Sequence, residues 1–306
     1  MARAPRNALA ALAALTAAGA AAAVWGVGIE RQLFTVRRHV LPVLDPGASP
    51  LRVLHISDAH MAPWQRRKQR WMAGLAALRP DLVISTGDSL GHPDGLDAVR
   101  RALAPLAGVP GVFVHGSNDF WGPSPRNPFL YLAGPSERHR RAVRLDTAAL
   151  DAFMADELGW HSVDNGAASL SVRGTRIRLF GVGDAHHDLD DLDAAARALQ
   201  AQPPAPLTLG VAHAPYRRVL DGLLGLGADM LFAGHTHGGQ VRVPFYGALV
   251  ANCDLPVRQA RGLSEWAHAG RTAPLNVSAG LGHSIYAPVR FACRPEVSLL
   301  TLAPRP

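Results

Sequence analysis

Residues 228–240 read ADMLFAGHTHGGQ, an apolar run that stops at a glycine and continues into two histidines separated by one residue. A short apolar run bounded by such a turn signal is typical of a buried strand. His235 and His237 follow this strand, and side chains two residues apart in an extended segment face the same side. The stretch therefore predicts a strand that delivers two imidazoles at its carboxyl end.

Four further apolar runs end in the same way, at residues that can bind a metal ion. Open parallel sheets gather their sites at the carboxyl ends of the strands, so ligands from distant parts of the chain converge at one edge. Carboxylate, imidazole and amide groups all occur as ligands of divalent metals. We therefore predict one metal centre. The runs and the residues that follow them are 51–57 before Asp58 and His60, 81–85 before Asp88, 112–115 before Asn118, and 207–212 before His213.

The folded part of the chain alternates helical and strand-like stretches, which is the pattern of an α/β protein. Apolar residues every three to four positions predict helices over 69–78, 96–106, 148–158 and 189–202. Further strands are predicted over 176–182, 239–243, 274–278 and 297–302. We predict a four-layer α/β/β/α sandwich of two mixed sheets flanked by helices. Prolines interrupt residues 120–144, which predicts a long loop over the metal centre.

The first fifty residues differ in composition from the rest. Residues 8–29 are uncharged and rich in alanine, and as a helix they would span roughly 33 Å, enough to cross a bilayer. A cleaved signal peptide and a disordered tail are the alternatives. We expect a single-pass anchor, because the apolar residues continue beyond the length of a signal core. Arginines flank the stretch on both sides, which leaves the side of the membrane open.

The domain organisation follows from this contrast. Residues 1–50 are predicted to form the membrane anchor or signal segment and a tether, because Pro42, Pro46 and Pro50 favour an extended path. Residues 51–306 are predicted to form the metal-binding domain, long enough for one substantial core.

Charge and cysteine content exclude several classes of protein. The formal net charge is +7, but the excess is spread thinly and Lys68 is the only lysine, so we expect no nucleic-acid partner. Residues 66–70 hold the one dense basic cluster, which is either the solvated first turn of a helix or a contact for anionic lipid or substrate phosphate. Cys253 and Cys293 are too few for a disulfide framework or a four-cysteine zinc site, and their pairing stays open.

The motifs resemble those of the calcineurin-like metallophosphoesterases, whose pattern is D-x-H, G-D, G-N-H-D or G-N-H-E, a lone histidine and G-H-x-H. The resemblance covers about residues 51–302, essentially the whole folded region. The Gly-Gly-Gln ending is similar to a bacterial branch that is often carried on an N-terminal membrane segment. The matching motifs, in order, are Asp58-Ala59-His60, Gly87-Asp88, His213 and Gly234-His235-Thr236-His237.

The resemblance implies two divalent metal ions, of Mn, Fe, Zn or Mg, in a metallophosphoesterase fold. Asp88 is implied to lie between the ions. The remaining implied ligands are Asp58, His60 and His237 on one ion, and His213 and His235 on the other.

The third motif departs from the family pattern, because residues 116–119 read GSND where the family has G-N-H-D. Strict alignment puts Ser117 at the position of the metal-binding asparagine and Asn118 at that of the catalytic histidine. With a small change of loop path, Asn118 instead reaches the second ion. We favour Asn118 as the ligand, since an amide oxygen is a better donor than a neutral hydroxyl.

In either alignment the histidine that would protonate the leaving oxygen is missing from its place. His115, His186 and His187 are candidates to replace it, and for each the alternative is an ordinary structural or loop histidine. We therefore name Asp58, Asp88 and Asn118 as the catalytic residues.

Together these features favour a membrane-tethered, two-metal phosphoesterase, a phosphatase or phosphodiesterase. The expected reaction is hydrolysis of a phosphomonoester, phosphodiester or diphosphate bond by metal-bound hydroxide. Anchoring raises the local concentration of membrane substrates, which favours a lipid-linked or envelope phosphate. The alternative, suggested by the change at residues 117–118, is a non-catalytic metal-binding sensor or binding protein at the membrane. The oligomeric state stays open.

Overall fold

The computed structural model describes residues 3–125 and 142–306, with side chains from residue 8 onward. Most of the loop predicted over 120–144 therefore lies outside the described residues. The helices are α1 (Arg3–Val24), α2 (Arg66–Ala73), α3 (Leu96–Leu103), α4 (Ser117–Phe120), α5 (Thr147–Ala152), α6 (Leu192–Gln200) and α7 (Arg217–Gly225).

Fourteen strands of the described residues form two six-stranded sheets and one hairpin. The first five strands are β1 (Thr35–Leu44), β2 (Leu51–Ile56), β3 (Leu82–Ser85), β4 (Gly111–Phe113) and β5 (Trp160–Ser162). The next four are β6 (Gly166–Val172), β7 (Thr175–Val182), β8 (Leu207–Ala212) and β9 (Met230–Ala233). The last five are β10 (Arg242–Val243), β11 (Gly247–Ala248), β12 (Gly262–His268), β13 (Arg271–Val277) and β14 (Glu296–Pro304).

Both sheets are mixed. The first has the order β1-β14-β2-β3-β4-β5, and the second has the order β12-β13-β9-β8-β7-β6. β10 and β11 pair only with each other among the described strands. The predicted strand over 239–243 is therefore shorter than expected, because a tight turn at His237–Gly239 precedes β10.

Three buried layers of apolar side chains hold the sandwich together. The central layer fills the space between the sheets and includes Val53, Val112 and Phe232. A second layer packs α2 and α3 on the outer face of the first sheet, and a third packs α6 and α7 on the second sheet. Strands buried on both faces form near-continuous apolar runs, which is why the runs were visible in the sequence. The predicted four-layer α/β/β/α sandwich is confirmed.

Strand β1 corrects the prediction of an extended tether. It pairs in parallel with β14, from Thr35 opposite Glu296 to Leu44 opposite Pro304. Leu44 is buried and Leu41 packs against the layer between the sheets. The prolines predicted a tether, but β1 lies at the edge of its sheet. A proline such as Pro42 is tolerated there, because the side of the strand without a neighbour needs no N–H group for hydrogen bonding. The boundary predicted after residue 50 falls in the turn between β1 and β2.

The N-terminal helix is the one described helix that is long and apolar enough to cross a membrane. The apolar stretch runs over Ala8–Gln32, with a mean hydropathy of 1.9, and its most apolar part has no residue buried against the domain. It includes α1, a π-helical turn over Trp25–Ile29 and a 3-10 turn over Glu30–Gln32. Both cysteines of the chain are free thiols.

Candidate metal centre

Loops from both sheets meet at one edge of the sandwich. β2, β3 and β4 run parallel to one another, as do β7, β8 and β9, so their carboxyl ends point the same way within each sheet. Two hydrogen bonds join the two sets of loops. The His213 Nδ1–H group donates to the Thr86 carbonyl at 2.7 Å, and the His235 amide donates to the Asp58 carboxylate at 3.1 Å.

Asp58, His60 and His237 form the first cluster. Their ligand atoms lie within 4.8 Å of one another. The Nε2 atoms of His60 and His237 are 3.1 Å apart, and His237 Nε2 is 3.8 Å from Asp58 Oδ1. Burial lowers the pKa of both histidines well below the ordinary value, so both imidazoles are neutral at pH 7 and keep a lone pair for a metal ion.

Asp184, His213 and His235 form the second cluster, again with ligand atoms within 4.8 Å of one another. All three side chains are buried. Asp184 was not among the predicted ligands. It follows β7 after one glycine, so the rule that identified the other ligands, a metal-binding residue after an apolar run, would have found it too.

Asp88 connects the two clusters. Asp58, Asp88 and His213 form a third group of ligand atoms within 4.8 Å. Asp88 Oδ2 lies 3.3 Å from His60 Nε2 and 3.7 Å from His213 Nε2. One carboxylate therefore contacts a member of each cluster, which is the position required of a bridging ligand.

Asn118 lies directly against Asp88. Its backbone amide donates to Asp88 Oδ1 and its side-chain amide donates to Asp88 Oδ2, both at 2.8 Å. Asn118 is the second residue of α4, whose first turn also holds Ser117. The structure thus places the predicted residue at the centre between the clusters.

The buried charges of the centre fit a cation. Burial raises the pKa of Asp58, and burial together with neighbouring carboxylates raises the pKa of Asp88 to about 7. His213 Nε2 is buried without a hydrogen-bond partner among the described residues. Because its Nδ1–H group donates to a carbonyl, the Nε2 lone pair is directed away from that bond and is ready to bind. Divalent ions would satisfy this atom and stabilise the carboxylates in their charged form.

The surroundings of His213 also favour a positive charge. Burial lowers its pKa, but the carboxylates of Asp88, Asp184 and Asp58 outweigh burial and raise the pKa to about 9. The surrounding carboxylates thus favour a positive charge at this position, which a divalent ion would supply.

Backbone conformation is strained at the predicted ligands. Five of the six ligands taken from the family motifs have a positive φ, a region that side chains other than glycine rarely adopt. Such conformations cost of order 1–3 kcal/mol each and cluster at functional sites. The angles are 48° at Asp58, 40° at His60, 53° at Asp88, 66° at His235 and 49° at His237.

Two motif glycines are required by close packing on these ligands. A Cβ atom at Gly116 would collide with the Asp88 carboxylate, and one at Gly234 would collide with the Ser57 hydroxyl beside Asp58. Substitution at either position would displace a carboxylate of the centre.

The three histidines considered as replacements for the missing one occupy different environments. His115 pairs with Asp151 at 2.7 Å and with Asp119 at 3.6 Å. Burial lowers its pKa, but hydrogen bonds with these two carboxylates outweigh burial and raise the pKa to about 10. His115 therefore belongs to a structural ion-pair group.

His186 and His187 instead lie beside the second cluster. The His186 ring is 4.6 Å from the His235 ring, measured between centroids, and His186 Nδ1 is 2.9 Å from the Tyr216 hydroxyl. His187 Nδ1 is 2.9 Å from Asp184 Oδ2. The alternative of an exposed loop is therefore wrong for this histidine pair, because both side chains are half-buried in a 3-10 turn over Ala185–His187 that packs beside the second cluster.

Lys68 differs in burial from the other members of the basic cluster at residues 66–70. Arg66, Arg67 and Arg70 are exposed, as expected for a solvated helix face. Lys68 is buried, and its ammonium group donates to the carbonyls of Ala59 and His60. Burial lowers its pKa to about 7. Lys68 therefore supports the loop that carries the D-x-H motif.

A two-sheet sandwich with carboxylates and imidazoles gathered at its strand ends defines a metal-binding α/β enzyme. Residues 51–239 match the family model of the calcineurin-like phosphoesterases. Because the match covers more than half of the chain, the protein belongs to the calcineurin-like phosphoesterase family. It is a metal-dependent phosphoric ester hydrolase.

Curated relatives extend over most of the chain. The protein is similar to the uncharacterized metallophosphoesterase YkuE of Bacillus subtilis, with 22% identity over 94% of this chain and 93% of that protein. It is 26% identical to the phosphodiesterase YaeI of Escherichia coli, over 88% of each chain. A bovine transmembrane protein with a metallophosphoesterase domain is 24% identical over 65% of this chain and 43% of that protein.

Proposed function

We propose that the protein is a two-metal phosphoesterase anchored to a membrane by its N-terminal helix. The first cluster would hold one divalent ion and the second cluster the other, with Asp88 between them. The observation that carries this proposal is the set of three overlapping ligand groups, in which Asp58 and His213 each belong to two. The ions themselves would polarise a phosphoryl oxygen and activate water for attack on phosphorus.

Asp184 is proposed as a ligand of the second ion. Serine at position 117 removes the amide that the family pattern places there, and a carboxylate from the end of β7 lies beside His213 and His235 instead. Carboxylates suit the same divalent ions as amide oxygens and add a negative charge.

Asn118 is proposed to orient the phosphate rather than to protonate the product. Its side chain lies 2.8 Å from the Asp88 carboxylate, at the junction of the clusters. An amide can donate a hydrogen bond but does not release a proton. General acid help typically contributes about 10²–10⁴-fold, so we expect substrates whose leaving group needs little protonation, such as diphosphates and activated diesters.

The anchor and one of the relatives support a proposal for the substrate class. An apolar N-terminal helix long enough to cross a membrane is present, and one relative is named as a phosphodiesterase. A lipid-linked or envelope phosphoester would be concentrated at the surface where the enzyme is held.

Hydrolysis of bis(p-nitrophenyl) phosphate by full-length protein in detergent, with added Mn²⁺, tests the reaction. We expect turnover that EDTA abolishes and that Asp88→Ala reduces to background. Asp94→Ala, at an exposed position near by, is the matched control and should keep full activity. Full turnover by Asp88→Ala would contradict the proposal.

A second function is favoured by one observation, the replacement of the family histidine by Asn118. A metal-binding sensor would retain the clusters and hydrolyse nothing. Metal content measured on the same sample as turnover separates the two functions. Bound ions without hydrolysis of phosphomonoesters, phosphodiesters or diphosphates would support the sensor.

A further inference from the structure

We propose that the hairpin of residues 241–249 is a second membrane contact, placed beside the N-terminal helix so that the metal centre opens at the bilayer surface. This inference rests on the membrane anchoring included in the proposed function, and it adds the orientation of the enzyme and the class of substrate that can reach it.

The hairpin exposes large apolar side chains. Phe245, at its tip, is fully exposed, and Tyr246 is 78% exposed. β10 and β11 are only two residues each and join neither sheet, so the tip projects from the domain. Clustered exposed apolar residues mark interaction surfaces. The other exposed apolar side chains of the hairpin are Val241, Val243 and Leu249.

The base of the hairpin is joined to the end of the N-terminal helix through one loop. The Arg290 amide donates to the Gly26 carbonyl at 3.1 Å, and the Arg242 amide donates to the Phe291 carbonyl at 2.9 Å. Phe291 in turn donates to the Gln240 carbonyl at 3.1 Å. Two backbone spacings, or about 10 Å, therefore separate the helix from the start of the hairpin.

The helix end is fixed firmly against this loop. The Glu30 carboxylate accepts hydrogen bonds from the amides of Ala292 and Cys293, at 2.9 and 2.6 Å, and from the Trp25 indole at 2.7 Å. Gly26 packs so closely that a Cβ atom would lie 3.0 Å from the Arg290 carbonyl oxygen. The helix and the domain therefore hold a defined relative position.

This docking sets the depth of the loop relative to the bilayer. Residues 8–25 span about 27 Å as a helix, close to the hydrocarbon thickness of about 30 Å. Gly26 and Glu30, which contact the domain, then lie at the membrane surface. The loop at 289–293 and the hairpin next to it lie at the same level, so the bilayer is the occupant that fits the exposed tip. Tyrosine and tryptophan are enriched at this depth, which suits the exposed side chains of Trp25, Tyr246 and Tyr286.

The same loop reaches the metal centre. The buried Arg290 guanidinium lies 3.4 Å from His237 Nδ1 and donates to the carbonyls of Ala279, Gly280 and Gly282. The Cys293 thiol donates to the His237 carbonyl at 3.3 Å. The first cluster is thus one side chain away from the surface that faces the bilayer. A phosphoester with an apolar tail in the membrane would present its phosphate at this level.

Fluorescence quenching in proteoliposomes tests the contact. Full-length Phe245→Cys protein is labelled with an NBD probe in phosphatidylcholine vesicles that contain lipids spin-labelled near the headgroup or, in a parallel sample, at the middle of the acyl chain, which is the depth of position 15. Leu15→Cys, in the membrane helix, is the positive control, and Ala201→Cys, exposed at the end of α6, is the negative control. Labelled wild type gives the background from the two native thiols.

We expect quenching at positions 245 and 15 and none at 201. Quenching at 15 without quenching at 245 would overturn the hairpin contact while leaving the anchor intact. No quenching at either position would overturn both the contact and the anchor. Hydrolysis of bis(p-nitrophenyl) phosphate, measured on the same samples, reports the proposed reaction independently of these results.

A pair of substrates tests the consequence for catalysis. Phe245→Asp is expected to lower hydrolysis of dodecyl p-nitrophenyl phosphate in vesicles severalfold and to leave hydrolysis of bis(p-nitrophenyl) phosphate unchanged, because both esters release the same group. Phe245→Leu should restore the vesicle rate. An equal loss on both substrates, or no loss on either, would contradict a membrane contact at the hairpin.

Discussion

The two halves of the metal centre differ in how closely they follow the family pattern. The first cluster, Asp58, His60 and His237, comes wholly from family motifs. The second cluster combines two motif histidines with Asp184, which belongs to none of these motifs. If Asp184 binds an ion as proposed, a ligand position has moved between loops while the site is kept, because several strand ends converge on the same point.

The two halves also differ in charge. The histidines of the first cluster have pKa values lowered by burial. His213 of the second cluster is surrounded by three carboxylates that raise its pKa to about 9. Each half has one carboxylate of its own and shares Asp88, but the cations Lys68 and Arg290 lie beside the first cluster, where they add to the lowering of the His60 pKa. The second half therefore offers the more negative environment, and we expect it to bind its ion the more tightly.

The largest effect is expected when Asp184 is removed, because it is the residue that distinguishes the second cluster from the family motifs. In Asp184→Ala we expect one Mn²⁺ per chain instead of two after loading and dialysis, and hydrolysis lower by about 10²-fold or more, since removing even an outer partner of a metal site typically costs 10–100-fold. Metal content by mass spectrometry is the primary measurement.

Asp191→Ala is the matched control for Asp184→Ala. Asp191 also accepts a hydrogen bond from a nearby backbone amide, that of Ala194 in the first turn of α6 at 2.8 Å, but it lies outside the clusters. Two ions bound per chain in Asp184→Ala would show that Asp184 is not a ligand. Circular dichroism of both variants checks that the fold is retained.

Restoring the family's histidine at position 118 should increase the rate of hydrolysis for some substrates. Asn118→His is expected to raise hydrolysis of alkyl phosphodiesters by about 10–10²-fold, because an imidazole can protonate a poor leaving group. The rate on p-nitrophenyl esters should change little, since that leaving group needs no proton. Asn118→Ala separates this gain from a simple loss of the amide, and an equal change on both ester types would argue against proton donation.

These two residues also mark where sequence reasoning reached its limit. The first cluster, Asp88 and two histidines of the second cluster could be predicted from the sequence, because each of these residues follows an apolar run. Asp184 follows such a run as well, and it was missed because it belongs to no recognised motif. Spacing could not choose between Ser117 and Asn118, since the choice depends on the path of a four-residue helix.

In the fold, too, most elements could be predicted from the sequence and one could not. Apolar runs predicted the two sheets because buried strands have a strong sequence signal. β1 was missed because an edge strand has alternating burial and tolerates proline. Its pairing with β14 depends on residues more than 250 positions away, which no local pattern reveals.

A smaller effect is expected from the residue that supports Asp184. His187 Nδ1 lies 2.9 Å from Asp184 Oδ2, and His187 is not itself a member of either cluster. His187→Ala should weaken binding of the second ion about 10-fold and leave the first unaffected. Calorimetric titration with Mn²⁺ resolves the two sites, and an equal weakening of both would mean that the clusters are not separable.

The smallest effect concerns a histidine outside both clusters. The carboxylates of Asp119 and Asp151 outweigh burial and raise the pKa of His115 to about 10, against about 6.5 in an unfolded chain. The folded state therefore holds this proton more tightly. The stability it contributes is fully present below pH 6.5 and is lost as the pH rises towards 10.

In His115→Gln the melting temperature should consequently fall less between pH 6.5 and 10 than in wild type. Because Asp151 is about half exposed, solvent screening limits the pair to about 1 kcal/mol, or about 2–4 °C in a chain of this size. Melting curves recorded in EDTA exclude a contribution from bound metal, and hydrolysis at pH 7 should be unchanged. A large loss of turnover in His115→Gln would instead mean that His115 takes part in the reaction, as the histidines of the two clusters are proposed to do.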